Sequence, residues 1–274
     1  MKLKLLAFMS VLAITMGCPG GAYAETILFV SPTRVNLDEK HKIEVINVSN
    51  TSDVSRTYQI SLQDLAMTEK GITTLKEDFP YSAKKMVRFF PREFTVAPGQ
   101  SQVIRVMARI PADTPDGEYH VHIKFFEDAQ EQGAPAPLAG SGNTSSMRAP
   151  LAYSTMLPIT VSKGKIETKL GWTGPVLTQG AVPENYHFST TLTRSGNGQG
   201  RSYLEISYEP VPGKPVQIGP RRANYVYREI DRLDYGFDFP KPKDMPPSGQ
   251  IKFRLLSGDS SNPTFVDEKS LAIP

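Results

Sequence analysis

Few side chains in this sequence are placed for chemistry, and the most pointed of them is a lone arginine. In the stretch leading into "SPTRVNL", Leu28, Val30, Val35 and Leu37 mark a strand broken at "SP", and Arg34 falls in its middle. A cation there either keeps its head in water with its stem packed along neighbours, or grips a carboxylate with the two-bond fork of a guanidinium. His120 and His122 in "YHVHI" share a strand face, a spacing that can share a metal ion. No sequence argument brings His41 or His187 to them, so the expectation is two histidines on a solvated face and no metal. "SGNGQGRS", Ser195 to Ser202, has the glycines of a phosphate cradle. It lies between two strand runs with no helix N-terminus to receive an anion, which predicts a hairpin turn and no nucleotide. The chain has no Gly-x-Ser-x-Gly elbow, no cysteine nucleophile and no local pair of carboxylates marked as acid and base. It reads as a binding protein, not an enzyme, with no cofactor.

The elements that must position these residues begin after a removable leader. Lys2 and Lys4, the apolar run "LLAFMSVLAITM" and the small-x-small site "AYA" at Ala22–Ala24 predict a signal peptide over 1–24 and a mature chain from Glu25. A competing reading lipidates Cys18 after Gly17, but Thr15 stands where such sites want a branched apolar residue. Cleavage would remove the one cysteine, leaving neither disulfides nor a cysteine metal site. It would also lower the formal net charge from +3 to +1, since Lys2 and Lys4 go and no acidic residue precedes Glu25. A near-neutral chain is a poor partner for nucleic acid. No later apolar run reaches the ~18 residues that membrane insertion requires.

From Thr26 onward short Val/Ile/Phe/Tyr/Thr-rich runs alternate with Pro, Gly, Asn and Asp, and helix signals are almost absent. This predicts an all-β protein. The first part holds about seven such runs, the number an immunoglobulin-like sandwich needs. "APGQS" and "PADTPDGE" are turns between them, with Pro fixing φ and Gly supplying positive φ. In "QVIRVMARI" one face is core: Ile104, Val106, Ala108 and Ile110 stand opposite Val103, Arg105, Met107 and Arg109. After a short hinge at "SKGKIE" the strand runs resume, from "KIETKLGW" to "TFVDEKSLAIP". The expected organisation is a first sandwich over 25–162 and a second over 163–274, joined at an angle with a cleft between them. One strand is unusual. "APLAYSTMLPITVSKG" carries Leu151, Tyr153, Leu157, Ile159 and Val161 on one parity, yet Ala152 and Met156 on the other, and it follows the long polar stretch "DAQEQGAPAPLAGSGNTSS".

"SPTRVNL", "IEVINVSNTS", "FFPREFTVAPGQSQVIRV", the "YHVHI" strand, the long loop and this last strand, in that order, resemble the periplasmic pilus chaperones of the chaperone-usher pathway, the PapD-like family. "FTVAPGQSQVIRV" is the most specific piece. The resemblance covers the first domain, and in the second it is confined to size, strand richness and the stretch from "FRLLSGD" to "EKSLAIP". It implies a soluble periplasmic protein whose partners are pilus subunits and an outer-membrane usher. It also implies a strand lent to each incomplete subunit, with Leu151, Tyr153, Thr155 and Leu157 filling the subunit's groove. Strand addition satisfies a row of backbone groups while alternate side chains enter pockets. Arg34 would hold the subunit's C-terminal carboxylate together with a lysine. Here the lysine's place falls to Met156 or Pro158, depending on register, and Lys163 and Lys165 lie just beyond. Two other readings stand beside it: a PapD-like periplasmic protein that binds other extended peptides, and a pilus subunit or adhesin built of similar sandwiches.

Overall fold

The computed structural model describes residues 28–127, 154–211, 213–242, 249–258 and 261–273. The predicted leader, the polar loop 128–146, Leu151 and Tyr153 lie outside the described residues. The first eleven strands are β1 (Leu28–Ser31), β2 (Val35–Leu37), β3 (Ile43–Asn50), β4 (Arg56–Gln63), β5 (Leu65–Met67), β6 (Thr73–Leu75), β7 (Val87–Phe90), β8 (Glu93–Val96), β9 (Ser101–Ala108), β10 (Gly117–Glu127) and β11 (Ser154–Lys163). Then follow β12 (Thr168–Gln179), β13 (Asn185–Gly196), β14 (Gly200–Val211), β15 (Lys214–Gln217), β16 (Arg222–Val226), β17 (Arg232–Pro240), β18 (Gln250–Gly258) and β19 (Pro263–Ala272). Among the described residues there is no helix, and the protein is all-β.

Strands β1 to β11 build a sandwich of a four-stranded sheet, β1-β3-β9-β7, and a five-stranded sheet, β2-β11-β10-β4-β8. The "SP" break lets the chain change layers: β1 pairs with β3 in one sheet, and β2 runs parallel to β11 in the other. Alternation decides which side chains are inside. Ile104 and Val106 of β9 are fully buried, while Arg105 between them and the flanking Val103 and Met107 face outward. Val121, Ile123 and Phe125 of β10 meet Leu157, Ile159 and Val161 of β11 in the same core. At roughly 1.5–3 kcal/mol per fully buried large side chain, a core of this size holds without disulfides.

The second sandwich packs the sheet β12-β13-β17 on one centred on β14, which pairs with β15, β16 and β18, with β19 beyond β18. Phe188 and Phe253 stack across its core at 4.3 Å. The connection from β11 to β12 is short, and Gly164 adopts positive φ (61°) in it.

Because Val121, Ile123 and Phe125 point into the first core, Glu118, His120 and His122 stand on the opposite face of β10. The second domain covers that face. Both histidines, expected in solvent, are therefore buried, at 5% and 6% exposure. The hairpin of β5 and β6 makes a further junction, where Asp234 N donates to Glu69 O (2.7 Å) and Met67 N to Glu229 Oε1 (2.7 Å). Two junctions thus bracket the histidines.

Candidate functional site

Arg34 sits just before β2, whose Val35 and Leu37 enter the first core, so the arginine faces the other domain. Its guanidinium carbon lies 3.8 Å from the centre of the Tyr225 ring and 5.9 Å from that of Tyr227. A cation over an aromatic face is worth about 0.5–2 kcal/mol, more as water is excluded. The side chain is half-buried, and among the described residues no carboxylate lies within ion-pair distance of it. The Gln199 amide is nearby. In one orientation its oxygen accepts a long bond from Arg34 Nη1 (3.5 Å); turned over, it accepts from Thr160 Oγ1 (3.3 Å), Arg201 Nη2 (3.1 Å) and Arg201 Nε (3.3 Å). The second leaves no atom facing its own kind and is preferred, and it frees Arg34 of that acceptor.

The parallel pairing of Val35 with Ile159 sets Arg34 beside Pro158, and Pro158 pairs in turn with His122. Of the two residues weighed for the lysine's place, Pro158 lies in this row, while Met156 lies two residues away and 43% exposed. Neither Lys163 nor Lys165 reaches this row. Lys163 Nζ donates to Pro111 O (3.2 Å) and Ala112 O (2.5 Å), and Lys165 pairs with Glu167 (2.5 Å) in solvent.

Tyr227, following β16, covers the two histidines, with ring centres 4.5 Å from His120 and 6.3 Å from His122. Burial pushes its phenol up, and Arg34 beside it pulls the other way, so the hydroxyl keeps its proton at neutral pH. His120 Nε2 bonds Leu65 O (3.0 Å) and lies 3.7 Å from Glu229 Oε1. His122 Nδ1 is covered and without a partner. Burial first, then His120 and Arg34, push the His122 imidazole down to about 4, so it is neutral at pH 7. Among the described residues no group of three His, Cys, Asp or Glu side chains is placed to hold a metal, and His187 is engaged elsewhere with Asp238 (2.6 Å).

Glu118 escaped the sequence reading. Its Oε1 accepts from Arg201 Nη2 (3.0 Å) and Ser162 Oγ (3.3 Å), and its Oε2 from Gln199 N (2.5 Å). Its backbone N donates to Asn197 O (3.0 Å), and its carbonyl accepts from Arg228 Nη1 (3.2 Å). The glycine loop, expected as a hairpin turn, is instead a connection between two sheets: β13 pairs with β12 and β17, β14 pairs with β15, β16 and β18, and the two do not pair with each other. Its backbone does receive an anion, the Glu118 carboxylate of the other domain. A Cβ on Gly198 would press on Ile166, Thr168 and Glu118, and one on Gly117 would meet the Arg228 guanidinium. The available signal was an acidic residue two before His120, on the same face.

The last site element is β11. It pairs with β10 from Ser154 to Lys163, but β2 covers its other side only at Ile159–Val161. From Ser154 to Pro158 its outer edge faces no strand among the described residues. Thr155 is half-buried opposite Phe125. Leu157, expected on the lent face, is instead 3% exposed within this domain's own core, because the parity that would enter a partner also points inward once β10 and β11 pair.

No family model matches the chain, and no curated protein does. Its likeness is to the fold of solved fimbrial chaperones. The YadV chaperone aligns with a TM-score of 0.43 and 13% identity over 89% of this chain and 100% of that one. The class 5 fimbriae chaperone CfaA gives 0.43 and 12% over 90% and 97%. A chain of the Salmonella enterica SafA pilin–SafB chaperone complex gives 0.41 and 12% over 90% and 96%.

Proposed function

We propose that this protein is a periplasmic chaperone of pilus assembly. It binds strand-deficient subunits by lending them the edge of β11 and the residues before it, and passes them to an outer-membrane usher. The open outer edge of β11 at Ser154–Pro158 is the observation that carries this reading, since an uncovered strand edge is an aggregation liability unless a partner uses it. In this arrangement Leu151, Tyr153 and Thr155 enter the subunit's groove, Leu157 stays in the chaperone's core, and Arg34 takes the subunit's terminal carboxylate. The two large side chains, Leu151 and Tyr153, supply several kcal/mol before ordering costs, at about 1.5–3 kcal/mol each. No cofactor enters the exchange.

The test is co-purification of a subunit lacking its last strand with Leu151→Asp and Tyr153→Asp variants. An unpaired charge pushed into an apolar groove costs several kcal/mol, so both variants should lose the complex while remaining folded. Retained complexes, with amide exchange at Ser154–Leu157 as slow as in β9, would make β11 an ordinary core strand. The place of Pro158 beside Arg34 favours a second reading, a periplasmic binder of other extended peptides. Capture of unrelated peptides with free C-termini in preference to pilus subunits would select it.

A further inference from the structure

Arg34, one residue before β2, continues a transverse row with Pro158 of β11 and His122 of β10, on the face that looks toward the second domain. Adjacent strands are about 4.8 Å apart, so Arg34 and His122 stand roughly 10 Å apart along the row. The residue between them, Pro158, has neither a long side chain nor a charge to fill the interval. Tyr227 closes over the row and carries a hydroxyl that keeps its proton. At one end is a guanidinium with no carboxylate among the described residues. At the other is an imidazole that makes no hydrogen bond among them, its Nδ1 covered and orphaned. Buried polar atoms are rarely left unpaired unless something absent pairs them.

We propose that His122 is the second binding group for the anionic chain end taken up by Arg34, and that it gains a proton when that carboxylate arrives. This rests on the assignment of Arg34 as the carboxylate ligand. No bond forms or breaks. A proton moves from solvent to the imidazole, and the neutral site becomes a second cation matched to the anion. The free imidazole is neutral above about pH 4. A carboxylate within about 4–6 Å raises a partner's pKa by about one to three pH units. Binding therefore takes up a proton between pH 4 and the raised value, and affinity climbs as pH falls through that window. Below about pH 3.5 the ligand's own carboxyl is neutralised and affinity falls again.

Other charged or titratable groups face His122. His120 and Lys124 lie on its own strand, Arg34 is at the end of the row, and Tyr227 and Glu229 come from the second domain; Gln63 on β4 and Pro158 on β11 are neutral. His120 is held by Leu65 O and stands beside Glu229.

The test uses the full mature protein and the peptide acetyl-Ser-Val-Thr-Val-Tyr with a free C-terminus, beside its C-terminal amide. Histidine side-chain NMR across pH 4–8 separates His122 from His120, and calorimetry at pH 5.5 and 8 gives the affinities. The expected result is that the acid peptide raises the His122 midpoint by about 2.5 pH units, to near 6.5, and the amide does not. Binding of the acid should be about tenfold tighter at pH 5.5 than at pH 8, with that pH-dependent gain lost in His122→Gln. Carboxylate-selective binding that needs Arg34 but leaves the His122 midpoint unmoved would overturn the role of His122 alone. A midpoint that moves at His120 in its place would do the same. Equal binding of acid and amide, or binding unchanged in Arg34→Ala, would remove the Arg34 assignment itself; no binding of either peptide at 10 mM would remove both.

Discussion

Glu118 and His122 stand four residues apart on the same face of β10, both beneath the second domain, and their surroundings differ in kind. Glu118 is a closed node: both carboxylate oxygens and both backbone groups have partners, most of them from the other domain. His122 is open, with an orphaned nitrogen and the Arg34 cation as its row-mate. A polar cluster with every member satisfied rigidifies a junction, while a partly satisfied one is costly in low dielectric and persists where a ligand completes it. One strand thus holds a joint near its start and an unsatisfied imidazole about 13 Å further on.

The comparison breaks most sharply at Arg34. Arg34→Ala should reduce subunit capture at least about thirtyfold, the lower bound for truncating one partner of a buried charged pair, while the melting temperature stays nearly unchanged. Parallel loss of both would make Arg34 another structural joint like Glu118. Next comes Glu118→Ala, which leaves Arg201 and the loop amide without their anion. Breaking such a pair costs about 3–5 kcal/mol when fully buried, and about 2–4 kcal/mol here because Arg201 is partly exposed. Calorimetry should show the domains unfolding in two transitions; one unshifted transition would mean that the β5–β6 hairpin alone couples them.

A slightly smaller effect belongs to pH. The His122 imidazole titrates near 6.5 when unfolded and at about 4 when folded. The unfolded chain takes its proton first, so His122 costs stability progressively as pH falls from about 6.5 to about 4, of order 2–3 kcal/mol at the acid end. Denaturant titrations of wild type and His122→Gln should agree at pH 8 and diverge in the variant's favour toward pH 4.5. Parallel curves would mean that the imidazole is solvated, as its strand alternation alone suggests. The smallest expected effect is at the lysines beyond the row. Lys163→Ala and Lys165→Ala should bind subunits as wild type does, and a marked loss in either would place a cation in the site that the register assigns to Pro158.

Much of the architecture is legible in the strand pattern itself. The alternation of "QVIRVMARI" matches the burial of β9, and the "SP" step marks the change of sheet between β1 and β2, whereas the glycine loop joins two sheets and closes no hairpin. The fate of the non-core face is not legible in the same way. Alternation says that His120 and His122 leave the core, but water is only one of the things that can lie outside it.

The sequence by itself determined what each strand's own backbone and side chains settle locally: the two-residue period, much of the turn chemistry and the break at "SP"; Arg34, expected in mid-strand, lies in that break just before β2. Only the tertiary structure decided that Tyr225, Tyr227 and Arg201, some 190 residues or fewer along the chain, close over β2 and β10. It also decided that Leu157 belongs to its own core and that Pro158 separates Arg34 from His122. The physical reason is that a strand's period sorts its side chains between two faces, whereas the partner on each face is set by register and by domain docking, which join residues whose separation in sequence carries no periodic signal.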